Sequence, residues 1–252
     1  MIESRVGPAA MPEPLTLITF DLDDTLWPCA ETIARAELAH FQWLQREAPR
    51  LTAVHDEAGL RAHRHQLMID SPELSHDFTA LRIASLTLLL EQFGYPASLA
   101  EGATAAFRTV RNQVTPYPDV MPVLQALKPR YRLVSITNGN AEVRHTPLKA
   151  HLHLSLTAAE VGAAKPDPAL FERALAASDA SASQALHVGD DPIRDIAAAR
   201  AVGMATVWVN RDGREWPPDL APPDLTVGDL HELRDWLARP AATSGADRRR
   251  SG

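Results

Sequence analysis

The chain has 252 residues, 45% of them apolar, a formal net charge of −7 and a single cysteine, Cys29. The acidic balance argues against nucleic acid as the main partner. No apolar run approaches the roughly 20 residues of a membrane span, and one cysteine excludes both an intramolecular disulfide and a cysteine metal cluster. The expectation is a cytoplasmic protein, monomer or homodimer, with neither nucleic acid nor membrane as partner.

Residues 1–14 carry Glu3, Arg5 and three prolines without a sustained apolar stretch. They read as a flexible tail rather than a secretory signal, with Met11 as an alternative start. Leu15-Thr16-Leu17-Ile18-Thr19-Phe20 reads as a strand. From residue 28 to 115 the patterns turn helical: Ala34, Leu38, Phe41, Leu44 and Ala48 share a face, and Phe107, Val110 and Val114 make a second stripe. Within this segment His63, Arg64 and His65 read as a solvated basic face. Ser75 or Asp77 caps the helix that follows, and the apolar run Leu86–Leu90 belongs to a longer helical pattern from Asp77 to Phe93. Trp43 is expected in core or hinge packing.

Strand and helix then alternate. Val120, Val123, Leu124 and Leu127 follow the spacing of one buried helical face. Arg132–Ile136, Ala185–Val188 and Ala205–Val209 read as strands. Asp167-Pro168 and Asp191-Pro192 are helix-start signals, and Gly203 stops the second of these helices. The Arg248–Arg250 run falls in a polar terminal segment, 239–252, read as a flexible, solvated tail. The expected architecture is an α/β parallel sheet covered on both faces, formed by 15–27 and 116–238, with an all-helical cap inserted over 28–115.

Four stretches carry chemistry. Phe20-Asp21-Leu22-Asp23-Asp24-Thr25-Leu26 crowds three carboxylates at a strand's end, where like charges raise one another's pKa unless a cation neutralises them. A hard divalent ion with oxygen ligands does this. Gly189-Asp190-Asp191-Pro192-Ile193-Arg194-Asp195 brings more carboxylate to the same sheet edge, where open α/β sheets place their sites. Ser135-Ile136-Thr137-Asn138-Gly139-Asn140 offers a hydroxyl, amides and flexible backbone to phosphate oxygens. Lys165-Pro166-Asp167-Pro168 supplies a fixed positive charge. Together they suit metal-assisted phosphoryl transfer.

In this order the four stretches resemble the signature motifs of the haloacid dehalogenase superfamily, from Leu15 to about Asn210. The resemblance implies the family's Rossmann-like core and its Mg²⁺. It makes Asp21 the nucleophile and Asp23 the general acid and base. Asp21, the Asp23 backbone carbonyl and Asp190 would hold the metal, Thr137, Asn138 and Lys165 the phosphate, and Asp195 would support the site from behind. Members that release halide lack an acid at the Asp23 position, and members that cleave phosphonates use a cap lysine; the first lysine here is Lys128. Hydrolysis of a small phosphomonoester through an aspartyl phosphate is the implied activity. A phosphomutase on the same core, and a silent domain that only binds a phosphorylated ligand, are the rivals. Ser75-His76-Asp77-Phe78-Thr79 and Arg82, with Ile136–Ala141 and Leu186–Asp191, resemble a narrower bacterial group acting on flavin mononucleotide and on a phosphoribitylamino-pyrimidine of riboflavin synthesis. That resemblance places His76, Asp77 or Arg82 against the substrate; Trp27, just after the first motif, is expected to pack at the cap hinge, with a substrate-facing role as the alternative.

Overall fold

In a computed structural model, residues 14–239 are described. The expected tails, Pro14 and Arg239 apart, lie outside this range, as do Met11 and the Arg248–Arg250 run. Six parallel strands form one sheet: β1 (Leu17–Phe20), β2 (Arg132–Thr137), β3 (Leu154–Thr157), β4 (Ala185–Gly189), β5 (Ala205–Val209) and β6 (Leu225–Val227). Their order is β3-β2-β1-β4-β5-β6. The chain order reverses beside β1, so β1 and β4 flank the switch point where such sheets bind ligands. β3 and β6 are the edge strands and were not anticipated. They are short and half-buried, so neither shows the unbroken apolar run that marked the central strands.

Pleating divides the strand residues between two cores. Ile18, Phe20, Leu133, Leu186, Val188 and Val207 enter one of them, with the helix Val120–Leu127 and the helix Leu230–Leu237. All four residues of the expected stripe on Val120–Leu127 are buried. Leu17, Val134, Ile136 and Ala185 enter the other, with the helix Ala169–Ser178. Thr19, His187 and Thr206 line up across β1, β4 and β5 by register, and all three are fully buried.

Between β1 and β2 lie four longer helices, α1 (Cys29–Glu47), α2 (Glu57–Asp70), α3 (Phe78–Gln92) and α4 (Leu99–Arg111). They carry their own apolar cluster, with Leu44, Leu60, Leu86, Leu89, Leu90 and Ala103 at its centre. Asp56 and Asp77 cap α2 and α3 through their carboxylates. Trp43 packs so closely on α4 that a Cβ at Gly102 would come within 2.6 Å of its ring.

Two expectations for this insert need correction. The buried face of α1 is Thr32, Ala36, His40 and Leu44, while Ala34 and Leu38 are exposed. Apolar spacing chose the neighbouring face because the true one is half polar: Thr32 donates to the Pro28 carbonyl, and His40 lies beside a buried ion-pair group. Arg64 belongs to that group. It donates to Glu37 at 2.7 Å, and His63 bonds Ser85 at 2.8 Å, so of the expected solvated face only His65 is exposed.

Candidate active site

β1 ends in an extended step that keeps Asp21 and Asp23 on one side and sends Leu22 into the core. The chain then reverses at Asp24, held at φ +60°, a left-handed conformation that Asp tolerates better than most residues. The Asp24 carboxylate accepts from the Cys29 backbone N–H at 2.8 Å, tying this turn to the start of α1.

Asp21, Lys165, Asp195 and His187 form a chain of buried contacts. Lys165 Nζ donates to Asp21 Oδ1 and to Asp195 Oδ1, both at 2.6 Å, and to the Ile136 carbonyl at 3.2 Å. Asp195 Oδ1 also contacts His187 Nε2 at 3.2 Å, and its Oδ2 accepts from the Asp191 N–H at 3.0 Å. Burial alone would lower the Lys165 pKa, but Asp195 and Asp21 together outweigh it and raise it, so the ammonium stays charged. Burial opposes the charge on Asp195 too, yet Lys165 and His187 win and hold its carboxyl below the usual range. Asp21 goes the other way: desolvation raises its pKa well above the ordinary carboxylate value, and Lys165 offsets only part of this. Burial keeps His187 neutral at ordinary pH. Its Nε2–H then faces the Asp195 carboxylate, leaving Nδ1 to accept from the Thr19 hydroxyl at 2.8 Å. Nothing in the motif spacing had marked His187. Its alignment with Thr19 and Thr206 comes from strand register, which the linear sequence does not show.

Asp190 closes the other side of the site. Burial first, then Asp195 and Asp24, push its carboxyl up to about 6. Thr25 Oγ1 lies 3.3 Å from Asp190 Oδ1 and 3.5 Å from Asp21 Oδ2, bridging the two acids. The Asp190 carbonyl accepts from Trp208 Nε1 and from Arg214, whose guanidinium also reaches Asp190 Oδ2 at 3.3 Å. One oxygen each of Asp21, Asp190 and Asp195 lie within 4.8 Å of one another. Three converging carboxylates against the Lys165 ammonium and the half-exposed Arg214 guanidinium leave excess negative charge, and a hard divalent cation fits that donor set. Asp21 and Asp190 have the freer oxygens; those of Asp195 are taken up by Lys165, His187 and the Asp191 N–H.

The wide helical turn Pro192–Ala197 brings Asp195 back over β4. Asp191 starts it by accepting from the N–H groups of Ile193 and Arg194, as its Asp-Pro signal predicted. Asp167 likewise accepts from Ala169 at the next helix start. A Cβ at Gly189 would sit 2.4 Å from Asp195 Cγ, so only glycine leaves room.

The carboxylates open onto a cavity of about 660 Å³, whose lining includes Asp21, Asp23, Thr137, Gly139 and Lys165. Thr137 Oγ1 accepts from Gly139 N–H at 2.9 Å, which frees its own proton for another partner. The phosphate contact expected of Asn138 is through the backbone around it. Its side chain bonds Lys165 N–H at 2.7 Å and Lys165 O at 2.8 Å, stapling the two loops, so only its backbone is left to meet a phosphate.

The substrate-facing candidates separate. Trp27 is fully buried and donates to Asp23 Oδ1 at 2.8 Å; it serves the acid and is not part of this cavity's lining. Arg82 is also withdrawn, with two bonds to Glu37 and its guanidinium 3.6 Å from the centre of the Phe107 ring. His76 and Asp77 do line a second cavity, of about 390 Å³, although the Asp77 carboxylate is occupied by Thr79 and Ala80 N–H groups. Phe78, 41% exposed, borders both cavities. Arg111 escaped the sequence reading: from the end of α4 it donates to Asp23 Oδ1 at 2.8 Å and Oδ2 at 2.6 Å.

Buried acids and a buried lysine thus gather at the switch point of a parallel sheet, the place where open α/β sheets carry their sites. The haloacid dehalogenase-like hydrolase family matches residues 15–203, and the chain belongs to it. Over 227 residues it is 30% identical to 5-amino-6-(5-phospho-D-ribitylamino)uracil phosphatase of Escherichia coli K12, covering 87% of this chain and 94% of that one. It is 38% identical to phosphoserine phosphatase of Thermus thermophilus over 58% of this chain, but spans only 60% of that relative's length. A solved structure titled 2-haloacid dehalogenase, from Pseudomonas syringae, superposes with TM-score 0.84 at 41% identity, covering 89% of this chain and 99% of the other. Family membership makes the chain a hydrolase, and both of these curated relatives are phosphatases. Among the described residues no helix is long and apolar enough to cross a membrane.

Proposed function

We propose that the chain is a Mg²⁺-dependent phosphatase of the cytoplasm that hydrolyses a small phosphomonoester through an aspartyl phosphate on Asp21, with 28–115 as its cap. The observation that carries this reading is the buried contact between Lys165 and Asp21 at 2.6 Å, beside Asp190 and Asp195. Lys165 holds Asp21 Oδ1, which orients the carboxylate and leaves Oδ2 for in-line attack on phosphorus. Thr137 turns its hydroxyl proton toward the phosphate, and the backbone around Asn138 and Gly139 takes further oxygens. Asp195, steadied by His187, keeps Lys165 in place. Asp23 gives a proton to the leaving ester oxygen and then removes one from the water that attacks the phosphoenzyme. Asp21, Asp190 and the Asp23 carbonyl would hold a magnesium ion, which would supply charge neutralisation between the anionic nucleophile and the anionic substrate.

For the substrate, the reading is flavin mononucleotide or the phosphoribitylamino-pyrimidine of the same pathway. It is supported by the near full-length relative that acts on the latter, and by Phe78, an exposed aromatic face suited to a planar heterocycle. The solved dehalogenase favours a second reading, halide release from a 2-haloacid. Asp23 weighs against it, because a departing halide needs no proton. A panel of flavin mononucleotide, phosphoserine, sugar phosphates and 2-chloropropionate, each with and without Mg²⁺, separates the readings. Mg²⁺-dependent phosphate release with flavin mononucleotide preferred is expected. Halide release without phosphate release would overturn the proposal, and uniform weak phosphatase activity would remove the flavin assignment.

A further inference from the structure

Arg111 is the last residue of α4 and is 1% exposed. Its Nη2 reaches both oxygens of Asp23, while Nε and Nη1 have no hydrogen-bond partner. A buried guanidinium that leaves two of its nitrogens unsatisfied is costly, and an apolar side chain of the same volume commonly serves a fold as well or better. Stability therefore does not account for it. Arg111 lines neither of the two larger cavities, so it does not meet substrate directly.

The surroundings show what it is attached to. Trp27 Nε1 holds Asp23 Oδ1 from the other end of the insert, at 2.8 Å. The turn of α4 that carries Arg111 is fastened to the loop after β2: Arg108 pairs with Glu142, and Asn112 accepts from the Glu142 N–H at 2.8 Å. A Cβ at Gly139 would come within 2.7 Å of Asp23 Oδ2 and 3.2 Å of Arg111 Nη2, so the guanidinium, the acid and the phosphate loop share one tight packing point.

We propose that Arg111 is the positioning residue for Asp23: a guanidinium delivered by the insert that sets where the acid sits over the phosphate loop. The proposal rests on the hydrolase reading, in which Asp23 moves the proton. Only steps that use Asp23 should then depend on Arg111. Transfer of phosphoryl from p-nitrophenyl phosphate to Asp21 expels a nitrophenolate that leaves without a proton. Attack of water on the resulting aspartyl phosphate still needs Asp23 to take one.

Arg111→Met, Arg111→Lys and the wild type are compared in rapid-mixing assays with p-nitrophenyl phosphate and Mg²⁺. Arg111→Met should release about one equivalent of nitrophenolate per enzyme at a rate within about threefold of wild type. Its steady-state rate should then fall at least about tenfold, part of the roughly 10²–10⁴ that general acid–base catalysis contributes. KM should hold within about twofold, and Arg111→Lys should recover part of the loss. Equal loss of burst and steady-state rates would mean that Arg111 only holds the site together, and an unchanged steady-state rate would mean that it does nothing for Asp23; either overturns the proposal. If thermal melting shows Arg111→Met unfolded, Arg111→Gln takes its place with the same expectations. No turnover by the wild type would overturn the hydrolase reading and this one with it, whereas wild-type turnover with parallel loss overturns this one alone.

Discussion

A carboxylate with fixed hydrogen bonds is more useful than one that is merely near, and the site spends most of its contacts on such fixing. Lys165, His187 and the Asp191 N–H take up the oxygens of Asp195. Gly189 makes the space. Gly189→Ala would drive a methyl group into Asp195, 2.4 Å from its Cγ, and push it away from Lys165. Overpacking of this kind costs about 1–3 kcal/mol. The expected outcome is a modest fall in melting temperature with a fall in kcat of at least about 100-fold, because the lysine loses its orientation. Wild-type kcat in a folded Gly189→Ala protein would show that Asp195 has no part in catalysis. That the signature acids, Thr137 and Lys165 gather at one sheet edge was legible in the sequence, since carboxylates crowded at strand ends have few structural uses. His187 and Arg111 were not. Their roles arise from strand register and from a helix end that returns to β1 after 88 residues, and neither relation exists in the linear chain.

At the scale of elements, a cap-forming aspartate and a substrate-binding aspartate look the same in sequence. Asp77 lines the second cavity, yet its carboxylate serves the first N–H groups of α3. Asp77→Ala should cost about 1 kcal/mol of stability, and Asp77→Asn, which keeps an accepting oxygen, far less. Neither should change KM by more than about twofold, since lost capping acts on the helix rather than on a ligand. A raised KM in Asp77→Asn at unchanged stability would assign the carboxylate to the substrate instead. The central strands were readable from their apolar runs because they are buried on both faces. β3 and β6 were missed because edge strands have one open side. The face of α1 was misjudged because its burial is partly polar, and apolar periodicity cannot see a buried histidine or an ion pair.

For the whole molecule, the insert and the sheet answer to different forces. The sheet is held by two apolar cores; the insert adds a buried charge group in which Arg82 and Arg64 grip Glu37. Burial alone would raise the Glu37 pKa, but the hydrogen bonds and charges of the two arginines hold it at about 2. A folded pKa below the unfolded value of 4.5 gives stability that is complete above that value and lost as pH falls toward 2. The shift corresponds to about 3 kcal/mol. His40, pushed down to about 3 by burial and by Arg82, acts in the same direction from pH 6.5 downward. Urea melts should therefore show wild type more stable than Glu37→Gln at neutral pH, with the gap closing as pH drops from 4.5 toward 2. A gap that stays constant across that range would mean that Glu37 is not charged in the folded protein. The α/β class and the helical insert were readable from the switch between strand–helix alternation and helical periodicity. How the insert meets the sheet was not, since Arg108, Arg111 and Asn112 look like ordinary helix-end residues until their partners are known.

The proposed chemistry depends on a covalent bond between Asp21 and phosphorus, and trapping that bond is the most direct measurement. Protein turning over a phosphomonoester with Mg²⁺ is quenched in acid, digested and examined by mass spectrometry. The peptide containing Asp21 should carry one phosphoryl group on that residue, and the Asp21→Asn protein should carry none and turn nothing over. Turnover by Asp21→Asn, or a phosphoryl group found on another residue in its place, would contradict the account.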